Sequence, residues 1–221
     1  MSDSPVIGFL NKAVDLILLN FLWIVCSLPV VTMGASTAAM YYVCIISIRQ
    51  GDGYVLKRFF GAFKDNFLKA TIVWIVLLAI GAVCLVDILF WERIGGAAGR
   101  IMKMVSGAFI IVWMLICEFI YPVMAKFEGN IKTIVKNSVA MAIGYLPYTL
   151  GAFAIDIIFV TVNLKAVTAN VVSVFIGFAL VAYVKSFLFY RVFMNHMDER
   201  FDDFEREKRL DEAKTSGDGE I

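Results

Sequence analysis

The sequence predicts an all-α protein, a polytopic bundle with about six membrane segments. Three observations predict it. Hydrophobic residues make up 61% of the 221-residue chain, charged residues only 18%, and the mean hydropathy is +0.82. A soluble domain is about 45–50% apolar and about 25% charged. Uncharged apolar runs recur at lengths that match the ~20 helical residues a bilayer crossing needs. Basic residues gather in alternate connections between those runs, the pattern left by the positive-inside rule. Five or six crossings leave little chain over, which excludes a sizeable extramembrane catalytic domain. Twenty Lys+Arg against nineteen Asp+Glu give a net charge of +1, so no basic field calls for nucleic acid.

The first hydrophobic region carries no charge over residues 16–48. As one helix it would be ~50 Å long, against a ~30 Å hydrocarbon core. A signal peptide is a poor fit, because its apolar stretch is only about 7–15 residues. The run contains its own break, SLPVVTMGAST. Pro29 cannot continue a helical ladder and disfavours helix at Leu28. Thr32 or Ser36 suits the start of a new helix, and Gly34 relaxes the turn. Two segments follow, about 14–31 and 35–48. The second is short, so five crossings plus a re-entrant segment is the competing reading. Gly34, Ala35, Ala38 and Ala39 give it a small-residue face suited to close helix packing.

Four more spans are expected at about 70–91, 104–125, 138–162 and 171–190. The connection 49–69 holds Arg49, Lys57, Arg58, Lys64 and Lys69, and 126–136 holds Lys126, Lys132 and Lys136. The tail after 190 holds Arg191, Arg200, Arg206, Lys208, Arg209 and Lys214. These connections face the cytoplasm by the positive-inside rule. The expectation is a multi-pass protein of a bacterial cell membrane with a cytoplasmic carboxyl terminus. Residues 1–197 form the membrane domain, and 198–221 a charged cytoplasmic tail, partly disordered.

Within 49–69, Phe59, Phe60, Phe63 and Phe67 fall on one helical stripe, with Lys57, Arg58 and Lys64 elsewhere. That pattern predicts a helix on the cytoplasmic membrane surface. It serves as an anchor to the lipid bilayer or as a docking surface for a partner. FKDNFLKA before the third span weakly echoes IVKNSVAMA before the fifth, too short a match to establish a repeat.

Chemistry-bearing candidates are few. Cys26, Cys44, Cys84 and Cys117 are scattered through apolar runs, and His196 is the only histidine. No metal cluster, disulfide framework or Ser/His/Asp set follows. No phosphate-binding loop is present. The expectation is no enzymatic activity and no cofactor. Ionisable residues inside spans are the exception, because a charge there costs a few kcal/mol or more. Glu118 and Lys185 lie at similar depth from the inner end and are expected to form an ion pair. As an isolated pair, Glu118→Gln would strand the lysine. Asp87 and Asp156 are expected near the outer ends of their spans, reaching headgroups or water. Asn20 joins Glu118 and Lys185 as a candidate intramembrane polar site, or else serves interhelical hydrogen bonding, as do Asn137, Tyr145 and Tyr148.

Three segments in order, DLILLNFLWIVCSLPVVTMGASTAAMYYV, RFFGAFKDNFLKA and FIYPVMAKFEGNIKTIVKNSVAMAIGYLPYTL, resemble the YesL-like family of small bacterial integral membrane proteins. The resemblance covers roughly residues 5–195. The family has no assigned molecular activity. It implies an association with carbohydrate uptake by ATP-binding-cassette transporters, whose subunits are then the implied partners. An accessory or regulatory role is one function expected, and an independent small-solute transporter or channel is the other.

Overall fold

The computed structural model describes residues 5–50, 54–127 and 129–194. The expected charged tail over 198–221 lies outside them. The described chain is helical throughout: α1 (Pro5–Ser27), a 3-10 turn (Val30–Thr32), α2 (Met33–Gln50), α3 (Val55–Ile94), α4 (Gly96–Lys126), α5 (Ile131–Gly144), α6 (Leu146–Lys165), α7 (Val167–Val172), a π-turn (Ser173–Gly177) and α8 (Phe178–Met194). Six helical stretches among the described residues are long and apolar enough to cross a membrane. The protein is an all-α polytopic helical bundle, and its large apolar residues stay abundant on the outside, as a lipid-facing surface requires.

The break at Pro29 divides the first region as the sequence indicates. The Thr32 hydroxyl donates to the carbonyls of Cys26 (2.6 Å) and Pro29 (2.8 Å). The bond to Cys26 satisfies an acceptor that the end of α1 leaves open. The chain then reverses into α2. Ala35, Ala38 and Ala39 have no exposed surface, so the small-residue face is a packing face. At its end a Cβ on Gly34 would stand 2.6 Å from the Ala70 carbonyl oxygen and 2.7 Å from the Trp74 Cβ. Only glycine lets α2 and α3 come this close. The Trp74 indole donates to the Val30 carbonyl at 2.7 Å and ties the turn to α3.

The structure corrects three sequence expectations. The surface helix over 57–69 is not a separate element; it is the first part of α3, a single helix of forty residues. Nothing between Val55 and Ile94 breaks it, since the segment has no proline. At 1.5 Å per residue α3 is ~60 Å long, about twice a hydrocarbon core. Lys57, Arg58, Lys64, Asp65 and Lys69 all fall in its first half, so that half is the part suited to leave the bilayer.

The expected outer connection near 92–103 shrinks to Gly95. This residue has φ +65° and ψ −158°, a conformation essentially confined to glycine. α3 and α4 thus form a tight helical hairpin. The third correction concerns 138–162. That stretch is two helices, α5 and α6, parted at Tyr145. Pro147 sits in the first turn of α6, where its missing N–H costs nothing. The fifth crossing is therefore residues 146–165, and α5 is a shorter helix packed on α4.

Candidate functional site: a buried ion cluster

The core is built largely of aliphatic and aromatic side chains, with Phe59, Phe119, Phe189 and Phe193 fully enclosed. Phe119 and Phe189 meet edge to face at 4.9 Å between ring centres, and Tyr41 and Phe189 at 5.9 Å. Against this apolar wall the structure brings together residues from four helices. Lys185 on α8 is 5% exposed. Its Nζ lies 2.5 Å from Glu118 Oε2 on α4 and 2.8 Å from Asp156 Oδ2 on α6. Tyr41 on α2 is buried beside this cluster.

The two carboxylates are not equivalent. Lys185 donates an aligned hydrogen bond to Asp156. Glu118 Oε2 is closer to the nitrogen yet accepts no aligned hydrogen bond. The Glu118 side chain is 8% exposed and that of Asp156 35%. Asp156 is the rim of the cluster and Glu118 its enclosed end. Pro122 lies one turn beyond Glu118 inside α4. Its absent N–H leaves the Glu118 main-chain carbonyl without its usual helical donor.

Glu118 and Lys185 meet as their equal depth and opposite charge suggest. Asp156 corrects the reading that placed it near outer headgroups. Once Pro147 is recognised as a helix start, residue 156 falls at the centre of α6 rather than near its end. That was the missed signal. Tyr41 carried none, because a tyrosine in an apolar run is equally at home as packing.

Asn20 does not join this cluster. Its side chain is fully buried and braces the π-turn instead. Nδ2 donates to the carbonyls of Val174 (2.7 Å) and Ser173 (3.4 Å), and Oδ1 accepts from the Ala179 N–H at 2.9 Å. Ser173 Oγ donates in turn to Asn163 Oδ1 at 2.8 Å. A π-turn disturbs the regular ladder, and in a bilayer its loose backbone groups need protein partners. Asn20 supplies them, which is the interhelical use expected of it.

Asp87 is also held by protein. Trp91 Nε1 donates to its Oδ1 at 3.0 Å, and Ser106 Oγ on α4 donates to its Oδ2. The residue fastens the α3–α4 hairpin. On the aromatic–basic stripe, Phe59 is fully buried in the protein core, which corrects its placement on a surface that meets a partner or the membrane. Phe63 is half-buried and stacks on Phe59 at 6.1 Å. Phe60 and Phe67 remain exposed at 44% and 39%, beside exposed Lys57 and Lys64, with Arg58 half-buried. Among the described residues no His/Cys/Asp/Glu group could hold a metal ion, and the cysteines are free thiols.

With this geometry in hand, comparison with known proteins gives two findings. Residues 16–88 match a family model described as "Protein of unknown function, DUF624". A protein from Bacillus subtilis (strain 168), "Uncharacterized protein YteU", is 28% identical over 144 residues, 62% of this chain and 64% of that protein. The similarity is to bacterial proteins of unknown function. The match therefore spans just under two thirds of the relative's length. No solved structure matches the chain.

Proposed function

We propose that this chain is a non-enzymatic accessory subunit of a carbohydrate-uptake transporter of the ATP-binding-cassette type. It docks through the first turns of α3. The observation that carries the reading is the division of the phenylalanine stripe. Phe59 is locked in the core while Phe60 and Phe67 face out beside Lys57 and Lys64. A helix fixed by one side of its stripe and presenting the other is a rigid platform. Aromatic residues of this kind supply large contact area at low entropic cost. The resemblance to the YesL-like family supports the choice of partner. The excess of basic residues in 49–69 and 126–136 supports a bacterial cell membrane location with a cytoplasmic carboxyl terminus.

The interior supports the same reading. Asn20, Asp87, Asp156 and Lys185 are each engaged by protein groups. A cavity between α1, α2, α8 and the start of α3, bordered by Lys12, Asp15, Cys44, Val55 and Tyr183, measures about 10 Å³, room for about one water. The charged cluster of Glu118, Asp156 and Lys185 favours the second reading, an independent small-solute transporter, since charge inside a bundle often marks an ion path.

The test is co-purification with transporter subunits from native membranes. Phe60→Asp and Phe67→Asp should leave the fold intact and abolish the association. Phe59→Asp should instead unfold the protein. Association unchanged in the Phe60→Asp, Phe67→Asp double variant rejects the platform.

A further inference from the structure

Counting charges in the buried cluster gives two carboxyls, Glu118 and Asp156, and one ammonium, Lys185, within 2.8 Å of one nitrogen. Fully ionised, it would carry one uncompensated negative charge in the bundle interior. Uncompensated buried charge is what proteins avoid by neutralising a group. The groups facing the cluster are Tyr41 from α2, Glu118 with its neighbour Cys117 from α4, Asp156 from α6 and Lys185 from α8. None besides Lys185 is cationic.

An independent observation concerns the carboxyls themselves. Glu118 Oε2 and Asp156 Oδ2 lie 2.5 Å and 2.8 Å from the same Lys185 nitrogen, so the two carboxyls stand side by side around it. Two ionised carboxylates have only acceptors to offer, so a hydrogen bond between them requires that one be an acid. Glu118 Oε2, more than nine-tenths buried, receives no aligned hydrogen bond from Lys185 and is free to take part in such a bond.

We propose that Glu118 and Asp156 together bind one proton at neutral pH, shared between their carboxyl oxygens and held beside the Lys185 ammonium. The site's ligand is a proton taken from water; one O–H bond forms on a carboxyl and nothing else is made or broken. A metal cation is disfavoured because the ammonium already fills the space between both oxygens. Asp156, the partly exposed member, is the group through which the proton enters and leaves. Glu118, the enclosed member, is the group that retains it. The cluster is then neutral when loaded and gains one negative charge when emptied. This property holds whether the chain assists a transporter or moves a solute itself.

Infrared spectroscopy of the purified full-length protein in lipid nanodiscs tests this, because a protonated carboxyl absorbs apart from a carboxylate. Wild type should show one protonated carboxyl per chain at neutral pH, lost reversibly on alkalinisation. Glu118→Gln and Asp156→Asn should each abolish it, because either change leaves one carboxylate opposite one ammonium and removes the need for a proton. Should Glu118→Gln fail to fold, Asp156→Asn at the rim carries the test with wild type. Absence of the band in wild type overturns the proposal. So does its persistence in either folded variant, which would place the proton elsewhere or on a single carboxyl. Stabilisation of wild type by sodium but not by choline at equal ionic strength, with no band, would assign the neutralising charge to a metal ion and overturn it as well.

Discussion

Replacing Lys185 by Met removes the only cation from the cluster and leaves Glu118 and Asp156 facing each other. With one proton shared between the carboxyls, a single negative charge faces the ammonium at 2.5–2.8 Å, and at an effective dielectric of about 20 it attracts by about 6–7 kcal/mol. Most of this is offset by the cost of desolvating the ions. The Asp156 share is discounted further because that side chain is about one-third exposed. Losing one partner of a buried pair typically costs about 3–5 kcal/mol, since the other is stranded. Lys185→Met should lower unfolding stability by up to that much, because it strands the one negative charge that the two carboxyls keep. Glu118→Gln alone should cost under about 1 kcal/mol, because Lys185 keeps Asp156 at one-to-one charge. Here the third member reverses the expectation for an isolated pair, in which Glu118→Gln strands the lysine. The triple variant Lys185→Met, Glu118→Gln, Asp156→Asn is neutral throughout and should recover most of the loss. Unfolding in mixed micelles, followed by tryptophan fluorescence, reads all three. A Lys185→Met stability within about 1 kcal/mol of wild type refutes the reasoning. So does a triple variant no more stable than Lys185→Met.

Three further predictions concern the bundle. Gly34→Ala places a methyl group 2.6 Å from the Ala70 carbonyl oxygen, and should cost about 1–3 kcal/mol as other overpacked sites do. Gly107→Ala, with nothing within 4 Å of its added carbon, should be neutral or gain up to about 1 kcal/mol of helix propensity; melting of the two variants compares them. Asn20→Leu strands the Ala179 N–H and the Val174 carbonyl and should cost about 1–3 kcal/mol in the same measurement. Cysteines introduced at Ser2 and Thr215 in a cysteine-free background should both be labelled only from the cytoplasmic side; outside labelling at Ser2 would mean that the first hydrophobic region crosses once.

Much of this architecture was legible in the sequence because bilayer physics is restrictive. Apolar run length fixed the count of long helices, and Pro29 with Thr32 marked the first reversal. Helix ends were legible only where a breaker marked them. Val55 to Ile94 contains none, so charge content suggested a separate surface helix where backbone preference allowed one continuous rod. Pro147 marked a start, yet the apolar run continues across it, and Asp156 was placed too far from the centre as a result. The Glu118 and Lys185 contact was legible since two opposite charges at equal depth have few other partners. Tyr41 and the π-turn held by Asn20 were not, because both depend on which helices become neighbours rather than on local pattern.

The direct test of the accessory role is sugar uptake in a strain lacking this protein, measured over a broad panel of carbohydrates. Uptake of at least one carbohydrate should fall. Wild type should restore it, and so should the conservative Phe60→Leu, Phe67→Leu double variant. Phe60→Asp with Phe67→Asp should insert and fold normally yet restore nothing. Unchanged uptake across the panel in the deletion strain would contradict the account.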